Sequence, residues 1–341
     1  CFDKRIRGGD GNREVGRPDM AEELKLIEKW SLKVHELKLG ATRKEAGTRE
    51  VVFKIGGQAS LPFLFKEGGI PNPPLIAAEV FDSVDDDWPL PLKQDLGSVL
   101  KQPLDWATKM IEEEGADLIC LKLQGVHPDF GNKSAKEAAT IVTSILKKIK
   151  TPLVILGSGN ADKDNEALPL VSEATKGERL LFGDAVQENY KTLTAACIAD
   201  GHNIIAESPI DVNIAKQLNI LVSDLGMPLD RIVINPTIGA LGYGLEYTYS
   251  IMERARNAAL SGDKMLSMPF ICFVGQEAWR AKEAKATKEE FPLWGEGYER
   301  GVMWEAVTAI AMLEAGADIL TMRHPKAIKI VKAAIEDLMK K

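Results

Sequence analysis

The sequence predicts an α/β fold, a (β/α)8 or TIM barrel with an N-terminal β-hairpin extension. Three observations carry that expectation. Eight short β-rich runs alternate with eight helical patterns from residue 75 to the C-terminus. The strand starts recur about every 35 residues, which fits a βα unit of roughly 30 residues plus loops. The series is unbroken, and neither a Rossmann glycine fingerprint nor a Walker loop follows its first run, so a closed barrel ranks above an open doubly wound sheet.

Residues 1-19 carry Gly8, Gly9, Gly11, Gly16 and Pro18 among charges with hardly any apolar periodicity, the composition of a flexible extension. A helix/β-hairpin segment is expected over 20-70, packed on a barrel of residues 71-341. Within it LKVHELKLG and TREVVFKIGG alternate on either side of a polar turn at 44-47. After the prolines of 71-74, strands are expected at 75-81, 116-124, 152-158, 179-185, 203-208, 231-236, 269-275 and 317-323. The helical patterns between them are PLDWATKMIEEEG, SAKEAATIVTSILKKIK, NEALPLVSEATKG, NYKTLTAACIADG, DVNIAKQLNILVSDLG, a run over 246-259, and TAIAMLEAG. Several end in a glycine suited to a left-handed C-cap, and KAIKIVKAAIEDLMK closes the chain.

Composition narrows the class. The 341 residues are 45% hydrophobic and 27% charged, ordinary usage for a globular chain with a large core. A formal net charge of −7 gives no global attraction to nucleic acid or an anionic membrane, so neither is an expected partner. No run approaches the ~18 apolar residues of a membrane span, and the charged start CFDKRIRGGD lacks the apolar core of a secretion signal; a cytoplasmic location is expected. The four cysteines lack the close spacing of zinc or iron–sulfur sites, and Cys120, Cys197 and Cys272 read as small buried hydrophobes.

In this barrel class, sites form at the C-terminal ends of the strands. In ADLICLKLQ, Ile119, Leu121 and Leu123 make one apolar face, which aims Lys122 and Gln124 inward near the mouth. The same alternation points Glu79, Asp184, Glu207, Asn235 and Arg323 inward. Burial there would shift a pKa far enough for acid–base work. Alternatively, Glu79 pairing with Arg323 or Lys122 would satisfy buried charge without any turnover.

Glycines in GSGN at 157-160 and PTIGALGYG at 236-244 would let backbone amides approach a large or anionic ligand, or would simply permit turns. The long interval after the seventh strand holds Trp279, Phe291, Trp294, Tyr298 and Trp304, aromatics for a partner or flat ligand, or for a small core of the loop's own. His35, His127, His202 and His324 are scattered, and Asp82, Asp85, Asp86 and Asp87 lack the glycine and glutamate of a calcium loop. With no GxSxG elbow either, neither a metal cage nor a nucleophilic triad is expected.

Several long strings together resemble one family: VFDSVDDDWP, GADLICLKLQG, QENYKTLTAACIADGHNIIAESPIDVNIAKQLNIL, INPTIGALGYGLEYTYSIMERAR, GDKMLSMPFICFVGQEAWRAKEA and GADILTMRHP. From about residue 33 onward the chain is similar to the small subunit of the corrinoid/iron–sulfur protein, also called the delta subunit of acetyl-CoA decarbonylase/synthase. The resemblance implies a (β/α)8 barrel in a heterodimer with a large subunit that carries an iron–sulfur cluster and a cobalamin-binding domain. The pair would receive a methyl group on cobalt from a pterin methyltransferase and deliver it to acetyl-CoA synthase, both transient partners, in the reductive acetyl-CoA (Wood–Ljungdahl) pathway. The small subunit would cover the cobalamin with its barrel mouth and have no turnover of its own. Residues 1-19 depart from the family, whose ordinary start looks like Met20.

By strand-end position, the corrinoid-facing rim is expected to comprise Gly157, Ser158, Gly159, Asn160, Asp184, Gln187, Asn189, Tyr190, Ser208, Asn235, Thr237 and Gly239. Two other functions suit the same barrel. A stand-alone pterin-dependent methyltransferase would hold its pterin with Asp184 and Asn235. An aldolase-like barrel would use Lys122 as a Schiff-base amine.

Overall fold

A computed structural model describes residues 27–340 except Asp86. The expected extension at 1-19 and the first residues of the expected helix/β-hairpin segment, 20-26, lie outside the described residues. The described chain opens with an antiparallel hairpin, β1 (Glu36–Leu39) and β2 (Phe53–Gly56). Eight parallel strands follow: β3 (Leu75–Phe81), β4 (Leu118–Lys122), β5 (Leu153–Leu156), β6 (Leu181–Ala185), β7 (Asn203–Glu207), β8 (Ile232–Asn235), β9 (Ile271–Cys272) and β10 (Ile319–Met322).

The helices are α1 (Leu90–Leu96), α2 (Pro103–Glu112), α3 (Ala135–Lys148), α4 (Ala161–Ala174), α5 (Tyr190–Asp200), α6 (Val212–Asp224), α7 (Leu245–Ser261), α8 (Val274–Ala278), α9 (Lys282–Lys285), α10 (Gly297–Glu314) and α11 (Pro325–Leu338). Local chemistry starts several of them. Ser134 and Glu137 form a reciprocal capping box on α3, and the side chains of Asn160, Asp211 and His324 accept the first free N–H groups of α4, α6 and α11.

Strand neighbours run β8-β7-β6-β5-β4-β3-β10-β9, sequence order around a cylinder. A parallel bridge between Ile234 and Phe270 joins β8 to the residues before β9, with Ile234 N–H donating to Pro269 O at 2.9 Å. The sheet is thereby a nearly closed (β/α)8 barrel. Every expected strand is present. Strand β9 keeps only two paired residues because the chain turns into α8 at Val274.

Period-two alternation divides the core in two. Ile76, Ala78, Val80, Ile119, Leu121 and Leu123 face the helices. Leu75, Ala77, Leu118, Cys120, Val154, Leu181, Ile205 and Val233 fill the interior. The hairpin belongs to this inner layer: Leu37, Leu39 and Ile55, each 1% exposed or less, pack on it and seal the N-terminal end. Arg49, in the connection between β1 and β2, pairs with Glu178 at 2.8 Å and donates to Leu146 O and Ile149 O at the end of α3. The opposite, C-terminal end is left as the mouth.

The interval after β9, read as a long loop, is folded into α8, α9 and the early turns of α10. Such short helices offer too few periodic positions to be seen in sequence. Among the described residues, no helix is long and apolar enough to cross a membrane.

Candidate functional site at the barrel mouth

Glu79 ends the inward row of β3 and accepts three hydrogen bonds. Its Oε1 accepts from Thr321 Oγ1 at 2.7 Å and from the Gln276 backbone N–H at 3.2 Å; its Oε2 accepts from Arg323 Nε at 2.5 Å. The Arg323 guanidinium also lies over the rings of Phe81 and Trp88, with its Cζ 5.0 and 5.4 Å from their centroids. This is the structural alternative for Glu79, a buried charge satisfied across the seam between first and last strands. Lys122, at the end of β4, donates to Gln276 Oε1 at 3.1 Å. Gln124 enters a 3-10 turn, Gln124–Val126.

A second acidic group occupies the other side of the mouth. Asp184, expected inward by alternation, is inward for a different reason: counted from the inward Leu181, strict alternation would turn it outward, but the pairing of β6 with β7 shifts register between Phe182 and Ala185. That irregularity re-aims Asp184 into the mouth, beside Glu207. Burial, and then the neighbouring Glu207 carboxylate, push the Asp184 carboxyl well above its ordinary value. Asp184 Oδ1 is shut away from solvent and has no hydrogen-bond partner.

The surroundings of this pair are held in place. Asn235 Nδ2 donates to Glu207 Oε2 at 3.2 Å while its Oδ1 accepts the Thr237 N–H at 3.0 Å. Asn189 donates to Asp184 O at 3.0 Å and accepts from Val186 N–H at 2.8 Å. Thr237 Oγ1 donates to Ser208 O at 2.7 Å, and Ser208 Oγ, fully buried, has no partner.

The glycine loops are engaged by the protein itself. In GSGN, the N–H groups of Ser158 and Gly159 donate to Asp164 at 2.7 and 2.9 Å, and Ser158 Oγ does so at 2.8 Å. A Cβ on Gly157 would stand 2.5 Å from the Asp164 carboxylate, which is why this wall needs glycine. Asn160 caps α4 through Lys163 N–H. In the second loop, Gly239 N–H donates to Thr248 Oγ1 at 3.2 Å, and a Cβ there would meet Tyr243 O at 2.4 Å.

Two cavities open here. A chamber of about 240 Å³ inside the mouth brings Gly157, Gly159, Asp184 and Asn189 together with Lys122 and Glu207. A groove of about 620 Å³ between α5 and α6 is lined by Gln187 and Tyr190 and reaches Glu207 from outside. The twelve expected positions thus fall into an inner group, an outer pair, and supporting residues: Ser158 and Asn160 in the loop, and Ser208, Asn235, Thr237 and Gly239 behind it.

Sequence reasoning missed Asp164, Gln276, Thr321 and Glu305. An acid in the first turn of α4, just after GSGN, was a legible sign for Asp164; the other three come from remote elements. Glu305, fully buried on α10, accepts from Trp279 Nε1, His324 N–H and Arg323 N–H at 2.8, 3.1 and 2.5 Å. Burial pushes its carboxyl up to about 7 against the pull of those donors. Of the two roles expected for the aromatic interval, the small core is present in part. Trp279 packs with Leu92, Ala281 and Ala284, whereas Leu293 is wholly exposed beside the stacked rings of Phe291 and Trp294.

Residues 36–335 match the family model of the CO dehydrogenase/acetyl-CoA synthase delta subunit. The acetyl-CoA decarbonylase/synthase complex subunit delta of Methanopyrus kandleri is 37% identical over 89% of this chain and 74% of its own length. Its counterpart from Archaeoglobus fulgidus is 35% identical over 91% and 70%. Among solved structures, dihydropteroate synthase from Stenotrophomonas maltophilia with active site-bound imidazole superposes with a TM-score of 0.55 at 13% identity, over 83% of this chain and 99% of that one. The enzyme from Xanthomonas albilineans with 4-aminobenzoic acid gives 0.54 at 12%, over 81% and 96%. Identity that low speaks for the barrel alone.

Proposed function

The chain belongs to the family of CO dehydrogenase/acetyl-CoA synthase delta subunits, hence to a multisubunit complex, and from that premise we propose that it is the small subunit of a corrinoid/iron–sulfur methyl carrier. In this reading its barrel mouth covers a cobalamin held by a large subunit that also bears the iron–sulfur cluster. The methyl group arrives from a pterin methyltransferase and leaves to acetyl-CoA synthase. Bound cobalamin would supply a cobalt centre that holds and gives up the methyl group.

The single observation in support is the unsatisfied polarity of the mouth. Asp184 Oδ1 and Ser208 Oγ are buried there without partners. Buried polar atoms without partners cost about 1–3 kcal/mol each, a cost that a ligand rich in hydrogen-bonding groups at its edge removes. Cobalamin, ringed by carboxamides, is such a ligand. Asn235 and Asn189 hold the acids in register for it, and Gly157 and Gly159 keep the wall low.

Isolation from the native source with a second polypeptide and a corrinoid visible spectrum is the expected outcome. If instead the chain alone bound methyl pterin and moved its methyl group to free cobalamin at enzymatic rates, it would be a stand-alone pterin-dependent methyltransferase and the carrier reading would fail. Borohydride trapping of Lys122 with a keto substrate would support the aldolase-like alternative; none is expected, since Lys122 is bonded to Gln276.

A further inference from the structure

The inner chamber has a chemistry narrower than that of the rim. At about 240 Å³ it is smaller than the ~300–1,000 Å³ pockets that enclose whole drug-sized ligands, so it takes a substituent and not a macrocycle. Its polar walls are of two opposed kinds. Asp164, Asp184 and Glu207 present carboxyl oxygens; those of Asp164 are taken by Ser158 and Gly159, whereas Asp184 Oδ1 is buried and unpartnered. Lys122, on the same chamber, presents an ammonium whose three N–H groups can donate, one of them being engaged by Gln276.

These walls discriminate among small substituents. A carboxylate carries no N–H for Asp184 Oδ1 and would face the Glu207 carboxylate, and like charges at close range are unfavourable. An ammonium would satisfy the acids but oppose Lys122. An alkyl group would leave Asp184 Oδ1 unpaired. A primary carboxamide meets both sides, with N–H groups for Asp184 and a carbonyl oxygen for Lys122.

We propose that the chamber lined by Lys122, Asp184 and Glu207 is a subsite for one primary carboxamide arm of the ligand that lies across the barrel mouth. The inference rests on the corrinoid reading and adds which of this chain's residues select an arm, and by what chemistry. The acids are pre-set for this by Asn235 on Glu207 and by Asn189 on the Asp184 backbone. Asp184 acts here as a positioning and specificity residue.

The test uses the intact complex of this chain with its large subunit and compares cobalamin with its isomeric monocarboxylic acids, in each of which one carboxamide is replaced by a carboxylate. Binding is read from visible absorption at equilibrium. One isomer is expected to bind at least tenfold more weakly than cobalamin, the others within about threefold, and Asp184→Asn, near-isosteric, is expected to reduce that one penalty several-fold. Equal binding of all isomers, or a penalty unaltered in Asp184→Asn, overturns the subsite while leaving the corrinoid reading intact. If the wild-type complex binds no corrinoid, the reading beneath it fails as well. The isomer series on the wild-type complex carries the discrimination by itself, and Asp184→Asn assigns it to this residue.

Discussion

Glu305 accepts the backbone N–H of Arg323 at 2.5 Å, while the Arg323 side chain turns the other way and pairs with Glu79. A fully buried acid on α10 thus fixes the backbone of the residue that clamps the mouth. The same carboxylate takes the Trp279 indole N–H and the His324 N–H, tying β10, α8 and the start of α11 to one point.

This arrangement predicts a pH-dependent stability. The Glu305 carboxyl is raised from 4.5 to about 7 in the folded protein, so folding favours its protonated form. The associated stability is fully present below about pH 4.5 and is lost as pH rises through about 7. Relative to Glu305→Gln, the wild type is expected to lose on the order of 3 kcal/mol across that window. Urea unfolding of both proteins from pH 4.5 to 8 measures the difference; parallel curves would refute it.

Glu79 and Arg323 behave as a buried pair. Glu79→Ala leaves the guanidinium without its carboxylate and is expected to cost about 3–5 kcal/mol. Glu79→Leu combined with Arg323→Met is expected to recover much of that loss, because it removes both charges. Chemical denaturation of the single and double variants separates the two cases, and an additive double variant would count against the pairing.

Asp164 is expected to hold the GSGN loop. Asp164→Ala strands the N–H groups of Ser158 and Gly159 and should cost about 2–3 kcal/mol. Gly157→Ala, which drives a Cβ into the same carboxylate, should loosen the same loop. Hydrogen exchange at Ser158 and Gly159 is the readout; protection equal to wild type in both variants would show that the loop stands without the acid.

The hairpin is part of the barrel's core. Leu37, wholly buried against the inner layer, is expected to lose about 2–5 kcal/mol on change to Ala, as for a central strand residue. A shift in the denaturation midpoint below that expected for ~1 kcal/mol would mean that the hairpin is only loosely attached.

The eight strands were legible because each is a short run of β-branched and apolar residues bounded by turns, and because a parallel βα unit repeats at nearly constant length. Lys122, Glu79 and Glu207 could be aimed inward from alternation alone. Asp184 was aimed inward by the same argument and does face inward, but through a register shift that no pattern in LLFGDA announces. The glycines of GSGN read as a possible ligand cradle, yet their neighbouring amides answer to Asp164, six positions from Ser158.

The order of strands around the cylinder and the identity of the family were written in the chain itself, since both depend on residues close in sequence or on long ordered strings. Folding chose between Arg323 and Lys122, the partners that the sequence left open to Glu79, and made contacts that the sequence did not show. Glu79 finds Arg323 and Thr321 from the far end of the chain, Asp184 finds Glu207 across a bulged pair of strands, and Glu305 reaches Arg323 from a helix. Hydrogen bonds and ion pairs act over a few ångströms in space, and residues more than two hundred positions apart come that close only once the barrel shuts.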